Sequence, residues 1–382
     1  MGKIALVLIG HKNHGKSTLI GRLLWERKSI KESRIKQIKK AMGKKFELAH
    51  LVDSFKEGRE KEMTMETTSF FLKGNKRNYQ LIDVPGHREL IANMLTGTAG
   101  AEAALLVVSV TEGIREQTIQ HLEIAKLLGI EQLGVVINKM DEIDYQKEKF
   151  EEIKEKSKEI LNKIGYLLKD TSFFPISARE GDNLIKKSSK TPWYSGVTLL
   201  DFLENEIKLP KSLENLPLRF LVQDKYGEIV VGKIESGKMK LNQEILFLPE
   251  NKKTKIISIK DSEKELKEAK AGQNIGIVLR EKFNISRGEV GVELNNLLKV
   301  SKVLAGEIFW IEAPSQKNLL CECGTAQVEG KLKEPKFVKE KEKTFYKIYL
   351  KKSLAFEPKS KTILGKIVLK DQGKIIGVGN II

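Results

Sequence analysis

Residues 10–18 read GHKNHGKST, between the apolar run IALVLIG (4–10) and the amphipathic segment STLIGRLLWERKSI (17–30). Gly10, Gly15, Lys16 and Ser17 have the spacing G-x-x-x-x-G-K-[ST], which lets a backbone wrap tightly and aim its N–H groups at phosphate oxygens. The helix that follows adds the positive end of its dipole. Lys16 is expected to reach the β and γ phosphates, and Ser17 to ligate Mg²⁺. His11, Lys12, Asn13, His14 and Thr18 complete the expected contact set, mainly through backbone. A glycine-rich turn without a ligand would not require the strand–loop–helix context found here.

The same reading extends along the first two hundred residues. The apolar runs YQLIDV (79–84), AALLVVSV (103–110), LGVVIN (133–138) and FFPIS (173–177) alternate with helical patterns such as EQTIQHLEIAKLLGI (116–130). Alternation of that kind predicts an α/β fold, a mostly parallel sheet with helices on both faces. Residues 28–63 are basic, polar and poor in strand formers, and are expected to form a helical insertion with a mobile end. After TPWYSGVTLLDFLENEIKLPKSLENLP (191–217) the pattern changes to short β-like runs: RFLVQ, EIVVGKIESG, EILFLP, KIISIK, NIGIVL, and then AGEIFWIEA, FYKIYLKKS and IIGVGNII. Two small antiparallel β-barrels are expected. The domains are placed at 1–208, 216–300 and 301–382.

A phosphate loop does not select a base. That task falls to NKMD (138–141), directly after an apolar strand. The carboxylate of Asp141 can accept from both N1–H and the exocyclic amine of guanine, a donor pair adenine does not offer. Asn138, Lys139 and Met140 hold the loop and flank the base, and a backbone N–H at Ser177–Ala178 can donate to guanine O6. DVPGH (83–87) closes another strand. Asp83 is expected to bind Mg²⁺ through water. Val84, Pro85 and Gly86 form the approach to the γ-phosphate, with the Gly86 peptide sensing it. His87 is placed to orient an attacking water, and Thr64, in REKEMTME (59–66), to complete the Mg²⁺ shell. GTP or GDP with Mg²⁺ is the expected ligand.

The set GHKNHGKST, REKEMTME, DVPGH, NKMD and SA resembles the translation-factor class of GTPases, of the elongation factor Tu and elongation factor 1-alpha type. That resemblance implies a GTPase domain followed by two β-barrels and GTP hydrolysis coupled to a partner. Within the class, LAHLVDSFKEGREKE (48–62), GIREQTIQHLEIAKLLGI (113–130), FNISRGEVG (283–291) and the C-terminal GKIVLKDQGKIIGVGNII are most similar to the GTPase subunit of ATP sulfurylase. GH..HGK and VQDKYGEIVVGKIESG (222–237) are closer to elongation and termination factors. Two partners therefore stay open: an adenylyl-transferring sulfurylase subunit, or ribosome and tRNA. Family members usually carry valine and aspartate where this chain has Lys12 and Asn13, and glycine and isoleucine where it has Glu62 and Met63. In the family, apolar residues at the positions of Lys12 and Met63 gate the histidine, so these changes bear on activation more than on binding. A GTP-binding module with little hydrolysis is the third reading.

Composition adds bounds. The 382 residues carry 68 Lys plus Arg against 51 Asp plus Glu, a net charge of +17. This suits an RNA or ribosome partner, or a lysine-rich background, since stretches such as KEKFEEIKEKSKEI (147–160) mix both signs. No run combining basic residues with interleaved aromatics is read from the sequence. No apolar run reaches membrane-spanning length, IALVLIG is shorter than a signal-peptide core, and a cytoplasmic protein without membrane contact is expected. Cys321 and Cys323 are the two cysteines. They are expected as free thiols packed in or beside a strand, since a disulfide at that spacing would be strained and a zinc site needs about four ligands.

Overall fold

The computed structural model describes residues 3–43, 46–60, 69–84, 101–209, 213–262, 264–360 and 362–382. The chain divides into two compact units, Met1–Pro210 and Lys211–Ile382. The first contains, in order, β1 (Lys3–Ile9), α1 (Lys16–Glu26), α2 (Glu32–Met42), α3 (Ala49–Glu60), β2 (Ser69–Lys73), β3 (Asn78–Asp83), β4 (Ala103–Ser109), α4 (Glu116–Leu127), β5 (Gln132–Asn138), α5 (Lys147–Ile164) and β6 (Thr171–Pro175). Their sheet has the order β2-β3-β1-β4-β5-β6. All pairings are parallel except β2 with β3.

The near-continuous apolar runs follow from burial on both faces: all seven residues of β4 are buried, as parallel strands under helices require. Helix α1 covers the sheet through Leu19, Ile20, Leu23 and Leu24, each stabilising by about 1.5–3 kcal/mol on removal from water. The solvated side of α5 carries the mixed-sign pairs expected of it, among them Lys149–Glu152, Lys154–Glu151 and Lys156–Glu152. The edge strand β2, SFFLK, is absent from the sequence reading. Its hairpin with β3 is held at the turn by Glu204, a carboxylate only 4% exposed that accepts from the backbone N–H of Asn75 at 2.6 Å and of Lys76 at 2.9 Å. That anchor lies 128 residues away in sequence, so no local pattern discloses it.

The second unit is all-β. Six strands close a ring: Glu244–Leu248, Val290–Val292, Arg219–Tyr226, Ile229–Ser236, Asn274–Leu279 and Lys252–Asp261, the last pairing back to the first. A second closed barrel runs Lys299–Trp310, Lys343–Phe356, Ala326–Glu334, Asn318–Cys323, Lys366–Asp371 and Lys374–Ile381. Its opening strand starts at Lys299, ahead of the boundary expected at 301. Cys321 and Cys323 are free and buried on one face of their strand, and burial pushes both thiols up to about 12.

One expectation is corrected here. Along Lys343–Phe356 the inward residues Tyr346, Ile348 and Leu350 alternate with Lys343, Phe345, Lys347, Tyr349 and Lys351. Basic and aromatic side chains thus do interleave on one outward face, with Lys347 Nζ 5.7 Å and Lys333 Nζ 5.8 Å from the Tyr349 ring centroid. The pattern escapes a linear reading because it has the two-residue period of a strand.

The barrels are joined by Arg219. Its side chain is 2% exposed and donates to Leu218 O at 3.0 Å, Asn296 O at 2.9 Å, Asn296 Oδ1 at 3.0 Å and Glu357 Oε1 at 2.7 Å. Glu357 is 32% exposed and can rehydrate when abandoned, whereas the buried carbonyl of Leu218 cannot. Arg219→Leu is therefore expected to cost roughly 2–3 kcal/mol, and Glu357→Gln about 1 kcal/mol. Urea unfolding followed by circular dichroism measures both, and an Arg219→Leu midpoint equal to wild type would contradict the assignment.

Candidate nucleotide site

Parallel strands deliver their carboxyl ends to one edge of a sheet, and a ligand crevice opens where the strand order reverses. Here β1 is that point, with β3 on one side and β4 on the other. The end of β1 leads into 10–17, β3 ends at Asp83, β5 at Asn138 and β6 at Pro175. Register aligns them, with Leu8 opposite Asp83, Ser109 opposite Asn138 and Ile137 opposite Pro175.

The loop after β1 is shaped by close backbone approach. Gly10 has φ +144°, and a Cβ there would stand 2.2 Å from Val107 O. Gly15 has φ +91° and caps α1, and its Cβ would stand 2.3 Å from Asn138 Nδ2. Side chains fit neither place. The Lys16 ammonium folds back on the loop, donating to Gly10 O at 2.8 Å and His11 O at 2.9 Å. It thus lies over the carbonyls that frame the phosphate cradle. Lys12 and Asn13 form the exposed tip. Asn13 adopts φ +67°, a left-handed conformation that Asn tolerates better than most residues. His14 is fully buried, and its Nδ1–H donates to Val107 O at 3.3 Å.

Asn138 is the centre of the arrangement. Only 2% exposed, it donates from Nδ2 to His14 O and accepts at Oδ1 from the Ala178 N–H, each at 2.9 Å. One carboxamide thereby fixes the phosphate loop and the loop after β6 to the end of β5. Backbone bonds reinforce the link, from Met140 N–H to Ile176 O at 3.1 Å and from Ile176 N–H to Ile137 O at 2.9 Å. Met140 is fully buried, while Lys139, at φ +66°, and Asp141 remain half-buried at the mouth. Behind them Tyr145 Oη donates to Asp182 Oδ2 at 2.5 Å, and Ser188 and Lys190 also donate to Asp182. These donors hold the Asp182 carboxyl below its ordinary value against the opposing effect of burial. Ser177, fully buried, caps the turn by accepting from the Glu180 N–H at 3.0 Å.

A pocket of about 540 Å³ opens among these loops, lined by Gly15, Thr18, Asn138, Lys139, Asp141 and Ala178. The structure thus brings six of the expected contact residues to one cavity, Asp141 and Ala178 among them. Phe46, Glu47, Leu48, Glu142 and Arg179 also line it and were missed from sequence. Phe46 is wedged against Trp25 with ring centroids 5.9 Å apart. The stretch 46–48 reaches the pocket because α1 has a glycine where it crosses: a Cβ on Gly21 would stand 2.1 Å from Leu48 O. Gly21 inside an amphipathic helix was the available signal.

For the metal, Ser17 and Asp83 offer a hydroxyl and a carboxylate, an all-oxygen donor set that suits Mg²⁺. Asp83 is 4% exposed at the carboxyl end of β3, and a carboxylate so placed fits a cationic partner. Val84 is buried. Pro85, Gly86, His87, Thr64, Glu62 and Met63 lie outside the described residues, as does the far end of the 28–63 insertion; its described part forms α2 and α3.

Comparison with known proteins gives consistent relations. The elongation factor Tu GTP-binding domain matches residues 3–209, and elongation factor Tu domain 2 matches residues 227–291. Elongation factor 1-alpha of Methanothrix thermoacetophila is 37% identical, over 98% of this chain and 96% of that protein. Elongation factor 1-alpha of Thermoplasma acidophilum is 36% identical, over 99% and 97%. A solved structure of sup35 complexed with GMPPNP covers 100% of this chain and 93% of that one at 24% identity, with a TM-score of 0.42. Both of these relatives carry the elongation factor 1-alpha name. Matched over its GTP-binding domain and along nearly its full length, the chain belongs to the elongation factor Tu family of translation-factor-type GTPases.

Proposed function

We infer that this chain is a GTP-binding and GTP-hydrolysing switch that acts in the cytoplasm on the ribosome and tRNA. The observation that carries the reading is the pocket in which Asn138 joins the phosphate loop to the two loops expected to read guanine. Near-full-length similarity to elongation factor 1-alpha supports the translational partner over the sulfurylase subunit. The net charge of +17 and the lysine–aromatic face along Lys343–Phe356 agree with an RNA-rich partner.

In this reading Gly10 to Thr18 hold the phosphates and Lys16 exchanges its loop carbonyls for phosphate oxygens. Ser17, Asp83 and Thr64 hold Mg²⁺, which when bound neutralises charge on the phosphates. Asp141 and the Ala178 N–H read the guanine edge, and His87 orients the attacking water. Lys12 puts a cation where the family has an apolar gate, so hydrolysis is expected to depend more weakly on the partner than is usual.

Two outcomes follow. Asp141→Asn replaces a double acceptor with one acceptor and one donor. GDP affinity should fall about 100-fold, while xanthosine diphosphate, which offers a carbonyl in place of the amine, should bind the variant better than GDP. Equal GDP affinity in variant and wild type, by isothermal titration, would remove Asp141 from the base site. Secondly, the chain should co-sediment with ribosomes with a non-hydrolysable GTP analogue and not with GDP, and Lys12→Val should raise the ribosome-stimulated hydrolysis rate. Failure to bind ribosomes, with capture instead of an adenylyl-transferring subunit from the native host, would return the sulfurylase reading.

A further inference from the structure

On the phosphate loop and beside it, the side chains of His11, His14 and Glu112 form a group to which the backbone-mediated phosphate contacts give no role. One imidazole nitrogen from each histidine and one carboxylate oxygen lie within 4.8 Å of one another. Both rings are oriented by backbone carbonyls, which can only accept. His11 Nδ1–H donates to Lys12 O at 2.9 Å and His14 Nδ1–H to Val107 O at 3.3 Å. With Nδ1 committed to the backbone, Nε2 is the nitrogen each ring has left for another partner, the orientation that metal-ligating histidines receive from their supporting hydrogen bonds.

His14 makes the case specific. Its side chain is fully buried and its Nε2 has no hydrogen-bond partner. That nitrogen faces Glu112 Oε2 at 3.6 Å. A bare nitrogen and a carboxylate oxygen are both electron-pair donors, so a cation between them, a proton on His14 or a metal ion, stabilises the pair beyond what Arg115 on the same carboxylate oxygen supplies. Burial lowers the proton affinity of His14, and neighbouring His11 and Lys16 add to that effect against Val107 and Glu112. Metal–ligand bonds of about 2.0–2.2 Å place tetrahedral donors roughly 3.3–3.6 Å apart. His14 and Glu112 already have that separation, and the His11 ligand nitrogen lies within 4.8 Å of both. Arg115, 53% exposed and 3.6 Å from the same carboxylate oxygen, is the cation a metal ion would displace there.

We propose that His11, His14 and Glu112 form a site for zinc or a similar borderline transition-metal ion, with water in the fourth position. Two nitrogens and one oxygen suit such an ion, whereas Mg²⁺ takes oxygen donors. Occupancy ties the turn of the phosphate loop to the segment after β4.

The test uses the untagged full chain, stripped with a chelator. Zn²⁺ titration should show one ion per chain, and Co²⁺ should give the intense visible bands of four-coordinate geometry. Glu112→Ala and His11→Ala should each lower Zn²⁺ affinity at least about tenfold, with melting curves of both variants verifying the fold. In wild type, Zn²⁺ should shift the ¹⁵N resonance of His14 Nε2. The proposal is overturned by an absence of saturable binding in wild type, by variants that bind Zn²⁺ as tightly as wild type, or by a His14 Nε2 that stays protonated in excess Zn²⁺, the signature of a plain imidazolium–carboxylate pair.

Discussion

The candidate site depends on one buried carboxamide. Asn138 satisfies a carbonyl of the phosphate loop with its donor and an N–H of the β6 loop with its acceptor. An amide is the side chain that can do both from one position. Aspartate would turn an acceptor toward the His14 carbonyl, and leucine would leave both backbone groups buried and unsatisfied, each at about 1–3 kcal/mol. Because Gly15 gives way for that same side chain, strand, loop and helix are fixed together before any ligand arrives. Organisation in advance of binding is what lowers the entropic cost of association.

Where the sequence was legible, it was so for physical reasons. Buried parallel strands read as apolar runs because both faces are covered, and β1, β3, β4, β5 and β6 were all visible that way. The glycines of the phosphate loop were visible because a positive φ and a 2.2 Å approach admit no other residue. The motifs NKMD and SA were visible as strand ends, and register explains why they meet.

What was missed depends on distant partners or on the wrong period. Strand β2 is an exposed-edge hairpin held by Glu204. Phe46 to Leu48 enter the pocket through the opening that Gly21 leaves, in a stretch whose composition gives only helix and charge. The lysine–aromatic face of Lys343–Phe356 alternates with core residues and disappears in a linear scan. The centre of GHKNHGKST, where the chain departs from the family, has a plain geometry. Asn13 suits the left-handed turn it occupies, and Lys12 lies at the exposed tip, so neither distorts the loop.

The most direct measurement is a paired titration of GDP and ADP into wild type and Asn138→Ala. If one carboxamide organises a guanine-specific pocket, wild type binds GDP at least about 100-fold more tightly than ADP, because adenine leaves the Asp141 carboxylate without its donors. The variant then loses at least about tenfold in GDP affinity while still folding. Equal affinities for GDP and ADP, or a GDP affinity unmoved by Asn138→Ala, would contradict the account.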